Sequence, residues 1–186
     1  MESEVKTIHQ YLVKRSKEGD RQAQNELYQL HVDAMYNICK RMLGDEDESK
    51  DALQESFIDS FTKLNTLQHE VTFSAWLKRI VINKCINALR KKKDYITSLD
   101  DDESGLQFTA DDGITDETIA KQDAKKVMKA FDMISEGCRT VFNLYLFEGY
   151  DHKEIGQILS ISESASKAQY SKAKSKIRHI LETTEL

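Results

Sequence analysis

Asp51, Glu55 and Asp59 recur at four-residue steps in the stretch DALQESFIDSFTKL, residues 51–64. At 100° per residue this spacing lines up carboxylates one turn apart. Carboxylates one helical turn apart serve in many metal and acid/base sites. Beyond this row no histidine or further carboxylate stands at ligand spacing, so a metal-dependent hydrolase lacks the rest of its centre. Leu53, Phe57, Phe61 and Leu64 fall on the opposite side of the same helix. Ile58 falls among the acids, with Gln54 beside them. An isoleucine ringed by carboxylates suits a protein partner with a basic, partly apolar surface. A solvated face with one stray isoleucine is the plain alternative.

A second chemistry follows in FSAWLKRIVINKCINALRKKK. Residues 71–93 carry seven bases (Lys78, Arg79, Lys84, Arg90, Lys91, Lys92 and Lys93) and no acid. Such a footprint suits phosphates. Asn83 and Asn87 lie one turn apart and can hydrogen-bond to bases. The preceding loop, Gln68, His69, Glu70, Val71 and Thr72, is placed to hold an unstacked base, since single strands are gripped by cationic grooves combined with pockets or stacking groups. An amphipathic helix with a merely soluble face is the alternative.

The third candidate is YDHKEIGQILSISESASKAQYSKAKSKIR, residues 150–178. Ile155, Ile158 and Leu159 form the core of a short helix. Ser160, Ile161 and Ser162 make a tight turn in which Ile161 plugs the core and Ser162 caps the next helix. In that helix Ser166, Tyr170, Ala173 and Ile177 share the inner face. Ser164, Lys167, Ala168, Ser171, Lys172 and Ser175 face outward, with Lys174 adding to the basic character. Residues 162–179 hold five bases and one acid, Glu163. This is the spacing of a helix-turn-helix whose second helix enters the major groove. An ordinary helical hairpin has the same spacing.

The elements that must position these residues are helices. Among 186 residues proline is absent and glycine occurs seven times, too few turn residues for a strand-rich fold. The composition is 39% hydrophobic and 32% charged, enough for small cores and too polar for a membrane protein. The opening residues have neither a basic start nor an apolar stretch, so no secretory signal is expected. Cys39, Cys85 and Cys138 are dispersed in helical patterns, which argues for buried small hydrophobes in a reducing cytoplasm and against disulfides or zinc. No cofactor is expected.

Nine acids and no base occupy residues 94–120, where hydrophobic periodicity is also lost. This segment reads as a flexible linker between two helical domains, residues 1–93 and 121–186. In the first, Asp20 caps a helix with Leu27, Leu30, Ala34, Ile38 and Met42 on its apolar face. A second helix covers 49–64. A third covers 73–93, with Phe73, Trp76, Leu77, Ile80, Val81 and Leu89 inward. The second domain has helices at 121–134, 138–148, 151–159 and 162–181.

Taken together, KEGDRQAQNELYQLH, DALQESFIDSF and FSAWLKRIVINKCINALRKKK resemble the promoter-melting domain of bacterial RNA polymerase sigma factors. The segment starting at Cys138 and ending at Arg178 resembles their -35-binding domain. The order and separation of the motifs match the small extracytoplasmic-function group, and the match covers nearly the whole chain. The resemblance implies an all-α chain of two domains, a sigma-2 bundle and a sigma-4 helix-turn-helix. It implies a non-catalytic cytoplasmic subunit that brings core polymerase to promoters and helps melt the -10 region.

It also assigns roles. Asp51, Gln54, Glu55, Ile58 and Asp59 would dock on the clamp helices of the polymerase β′ subunit, with the β subunit as a further partner. Gln68, His69, Glu70, Val71 and Thr72, with Lys78, Arg79, Asn83, Lys84, Asn87 and Arg90, would hold the melted -10 strand. Ser164, Lys167, Ala168, Ser171, Lys172 and Lys174 would meet duplex DNA at -35. The linker carboxylates would imitate nucleic acid inside the polymerase. Relatives are often held by an anti-sigma protein.

Two departures carry consequences. Ile134 and Ser135 stand where the family often has Leu-Pro. Ser166 and Gln169 stand where its recognition helices usually carry a β-branched residue or arginine. No arginine for bidentate guanine contact occurs in this helix before Arg178. Weak -35 discrimination is therefore expected, with an accessory factor helping recruitment. The rival reading is a stand-alone helix-turn-helix regulator binding duplex DNA as a dimer, which leaves the acidic face at 51–59 unexplained.

Overall fold

The computed structural model describes residues 2–91 and 124–183, and the acidic segment 94–120, with Lys92, Lys93 and the expected helix start at 121–123, lies outside them. All regular structure among the described residues is helical, and the chain divides into two compact units, Met1–Lys91 and Lys92–Leu186.

The first unit contains α1 (Glu2–Lys17), α2 (Arg21–Leu43), α3 (Glu46–Thr62) and α4 (Phe73–Lys91). Asp20 caps α2 as its spacing implies, accepting from the Gln22 and Ala23 N–H groups at 2.9 and 3.2 Å. Gly44 ends that helix with φ 76°, a left-handed conformation that costs glycine nothing. Asp45 then caps α3, accepting from the Glu48 N–H at 2.9 Å, so α3 begins three residues before the expected Ser49. Glu46, Asp47 and Glu48 occupy its first turn, where negative charge complements the helix dipole. The acidic block thus has two jobs. Its first four acids start the helix, and Asp51, Glu55 and Asp59 decorate its outer face.

The core joins Leu27, Met35, Ile38, Cys39 and Met42 of α2 to Leu53 and Phe57 of α3. Leu77, Val81, Ile82, Cys85, Ile86 and Leu89 of α4 complete it. Leu30 and Ala34 are not on the buried face of α2; Leu30 is 52% exposed. The inner stripe instead passes through His31 and Met35, and the polar histidine hides it from a hydrophobic count. Trp76 and Ile80 are half-buried at the rim of α4, with Trp76 against Phe73 at 6.1 Å between ring centres. Ser56 and Ser60 turn their hydroxyls back to the Ala52 and Phe57 carbonyls at 2.6 and 2.8 Å, so small satisfied side chains line the buried side of α3. Cys39 and Cys85 are both buried thiols. A hydrogen bond shared with Cys39, then burial, pushes the Cys85 thiol well above its ordinary range, so it packs and does not react.

His31 has a stability consequence. It is 6% exposed, packed edge-on against His9 at 5.2 Å and against Phe73 at 5.3 Å. Its Nε2 has no hydrogen-bond partner among the described residues. Burial, then the charge of His9, lowers its pKa from 6.5 to about 4. The unfolded chain therefore takes up this proton first as pH falls. Stability is fully present above about pH 6.5, declines between 6.5 and about 4, and levels below that. The contribution lost is about 3 kcal/mol. Thermal melts across this range should show the decline, and His31→Leu should remove most of it.

The second unit contains α5 (Ala124–Asp132), α6 (Glu136–Phe142), α7 (His152–Leu159) and α8 (Glu163–Thr183). The expected helix at 138–148 starts earlier, at Glu136, and widens into a π-turn at Asn143–Phe147. Phe131 packs tilted against Phe142, which stacks on Tyr170, in a core shared with Ile155, Leu159, Ala173 and Ile177. Asp151 and Glu154 form a reciprocal capping box at the start of α7, with bonds of 2.7 and 2.9 Å. Ser166, Tyr170, Ala173 and Ile177 face inward as their spacing implies. Ile158 and Ile161 are only half-buried, so Ile161 does not plug the core. The turn is fixed by backbone. Ser160 takes φ 61°, and Gly156 lies so close that an added Cβ would stand 2.9 Å from the Ile161 carbonyl oxygen.

Candidate partner and nucleic-acid interface

On α3, Asp51, Gln54, Glu55 and Ile58 are exposed together, Ile58 at 57%. Asp59 is half-buried. The face combines an apolar centre with carboxylates.

On α4, Arg79, Asn83, Asn87 and Arg90 are all exposed, and steps of four, four and three residues set them on one stripe of the helix. Lys78 and Lys84 are half-buried at its edges. Lys84 leans toward α3, its Nζ 3.2 Å from Glu55 Oε2 and 3.1 Å from Asp59 Oδ2. Lys63 adds a second cation to Asp59 at 3.1 Å. Hydrogen bonds from Lys84, then Lys63, hold the Asp59 carboxyl below the usual carboxylate range. The acidic and basic surfaces therefore meet at Lys84. A charge count along the chain cannot detect that meeting, because the partners lie on different helices.

The loop between α3 and α4 consists of two single helical turns, Leu64–Thr66 and Glu70–Thr72, seated on buried Leu64 and Leu67. Gln68, His69, Val71 and Thr72 are exposed, and Thr72 Oγ1 donates to the His69 carbonyl at 2.7 Å. Glu70 is half-buried and turned inward to α1, where Lys17 Nζ meets Glu70 Oε1 at 3.0 Å. Lys17 has no sequence signal that would mark it, since it stands more than fifty residues from this partner.

In the second unit Ser164, Lys167 and Ala168 are exposed at the start of α8, while Ser171, Lys172 and Lys174 are half-buried. Ser162 caps this helix, its Oγ accepting from the Ala165 N–H at 3.0 Å. Gln169 faces inward, accepting from Cys138 Sγ at 2.9 Å. His152 shares a 3.0 Å hydrogen bond with Ser166 and stacks on Tyr145, tying α7 to α8. The His152–Ser166 bond joins the two helices of the helix-turn-helix, and the Cys138–Gln169 bond ties the second of them to α6. Among the described residues no group of three or more His, Cys, Asp or Glu gathers to hold a metal, and no helix is long and apolar enough to cross a membrane.

Comparison with known proteins identifies a family region in each unit. Residues 27–95 match Sigma-70 region 2 and residues 124–177 match Sigma-70, region 4. The ECF RNA polymerase sigma factor SigW of Bacillus subtilis is 29% identical over 175 residues, covering 89% of this chain and 92% of SigW. The solved structure of CnrH in complex with the cytosolic domain of CnrY shares the fold. Its TM-score is 0.56 at 19% identity, over 96% of this chain and 99% of CnrH. RpoE of Bartonella quintana, solved with the anti-sigma factor NepR, has a TM-score of 0.54 at 17% identity, over 87% of this chain and 98% of RpoE. Region 2 thus contains the acidic α3 face and the basic α4 stripe, and region 4 the helix-turn-helix. The chain belongs to the extracytoplasmic-function group of RNA polymerase sigma factors, non-catalytic subunits that act in transcription initiation.

Proposed function

We propose that this sigma factor docks on core polymerase through α3, melts the -10 region with α4 and its preceding loop, and reads -35 weakly. The observation that carries the docking reading is Ile58, a large exposed aliphatic among Asp51, Glu55 and Asp59. Gln54 completes a face suited to the basic, partly apolar clamp helices of β′. The Arg79, Asn83, Asn87 and Arg90 stripe supports strand binding, with cations for phosphates and amides for bases. Lys78 flanks it. Lys84 reaches DNA by leaving the Glu55 and Asp59 carboxylates. The exposed Gln68, His69, Val71 and Thr72 side chains, on a loop closed by Glu70, form the pocket for a flipped base. Capturing that base offsets the few kcal/mol lost on unstacking.

At -35, Ser164, Lys167, Ala168, Ser171, Lys172 and Lys174 would hold the groove largely through phosphates, because small side chains and lysines lack bidentate guanine readout. An accessory recruiting factor then supplies affinity that -35 sequence does not. The segment 94–120 imitates nucleic acid in the polymerase, and the β subunit is a further contact. The complex of RpoE with an anti-sigma factor supports an inhibitory partner here also. The setting is the bacterial cytoplasm.

The test is promoter opening by purified core polymerase and this chain, read by permanganate reactivity of -10 thymines. Opening should require the chain and change less than about threefold when -35 is scrambled. A base-reading recognition helix would instead lose about 1–3 kcal/mol per mismatched pair. Opening that falls to background with scrambled -35 would contradict weak discrimination.

A further inference from the structure

Lys17 is the last residue of α1, yet its ammonium reaches the loop between α3 and α4. It donates to the Leu67 carbonyl at 2.7 Å and meets Glu70 Oε1 at 3.0 Å. Those two acceptors stand on either side of Gln68 and His69. One cation therefore closes the chain around the two exposed residues that begin the proposed base pocket. Its side chain is 21% exposed and that of Glu70 25%, so the pair is shielded from water and salt more than a surface pair. The adjacent bonds leave little slack. Leu67 is buried, its N–H donates to the Leu64 carbonyl at 3.1 Å, and the Thr72 N–H donates to the His69 carbonyl at 3.0 Å.

We propose that Lys17 is a positioning residue for -10 base selection, holding the Gln68–His69 corner in its binding shape without touching DNA. The inference rests on the reading of residues 68–72 as the base pocket. A loop ordered before binding loses less conformational entropy when a base enters, and a fixed pocket discriminates between bases better than one that adapts to each. Lys17 also balances the charge of Glu70, with Lys14 of the same helix nearby. An unbalanced carboxylate here would repel the incoming phosphates.

The test uses the full chain with core polymerase and a premelted duplex randomised across the non-template strand of the bubble. Bound molecules are sequenced, and the preference ratio at the most selective position is compared among variants. Lys17→Met should reduce that ratio about fivefold. Lys17→Arg, which can still donate to both acceptors, should keep it, and Glu70→Gln should reproduce part of the loss. Affinity for core polymerase and the circular dichroism spectrum should not change. If Lys17→Met keeps the preference ratio while Gln68→Ala or His69→Ala flattens it, the positioning role is wrong and the pocket stands. If neither flattens it, the pocket reading falls, and the inference with it. A uniform affinity loss on all sequences, with the salt slope reduced by about one, would mean that Lys17 is a phosphate contact and also overturn the proposal.

Discussion

Reversing Asp51 and Glu55 together to lysine is expected to weaken binding to core polymerase by about a hundredfold, with the helical fold retained. Both residues are exposed on α3 beside Ile58. The partner surface proposed for them is basic, so each reversal would replace an attraction with a like-charge contact, and such contacts cost several kcal/mol across an interface. The fold has little reason to fail. Neither residue contributes to the core, and the helix start is secured separately by Asp45 and the acids after it. Lysine at 55 would stand beside Lys84, but that cation keeps Asp59 at 3.1 Å, and exposed pairs contribute little to stability. A binding titration with labelled core polymerase, alongside a thermal melt, reads both quantities. Unchanged affinity would remove α3 from the docking surface.

The second large effect is expected at Gly156. Alanine there would place a methyl carbon 2.9 Å from the Ile161 carbonyl oxygen, a backbone atom held by its place in the turn. The Ile161 N–H donates to the Gly156 carbonyl at 3.0 Å, so the two strands of backbone cannot separate without losing that bond. Overpacking of this kind costs about 1–3 kcal/mol. Gly156→Ala should lower the stability of the second unit by about 2 kcal/mol and open the angle between α7 and α8. Duplex binding at -35 should fall with it. Gly149→Ala is the control: φ is 77° but open space surrounds the position, so only the left-handed backbone is strained. That cost is about 1 kcal/mol. Denaturant melts of the two variants separate close approach from backbone strain. Equal losses would show that the turn yields to a methyl group.

The architecture was legible because helical periodicity and charge blocks are local properties. The inner stripe of α8, the caps Asp20 and Ser162, and the helix-turn-helix boundary follow from residues within a few turns of one another. The failures have equally local causes. Leu30 and Ala34 continued a run of apolar steps from Leu27, while the buried stripe crosses His31, a polar residue made neutral by its surroundings. Ile161 is aliphatic, which points to the core, but Gly156 and the left-handed Ser160 set the turn. A glycine inside a helical pattern just before a turn was the available signal.

The candidate site was legible as surfaces and not as contacts. The α3 and α4 faces follow from angular position. The bridge from Lys84 to Glu55 and Asp59, and the tether from Lys17 to Glu70, join residues far apart in the chain, and only packing brings them together. Lys84 is thus turned to the acidic helix, which places the boundary between the two surfaces along the side of α4.

The most direct measurement is co-elution of the purified chain with bacterial core polymerase, followed by footprinting of a promoter on that complex. The expected result is a stable one-to-one complex that opens the -10 region, while the chain alone leaves intact duplex unprotected at the same concentration. A chain that never joins the core enzyme, yet protects closed duplex by itself, would contradict it.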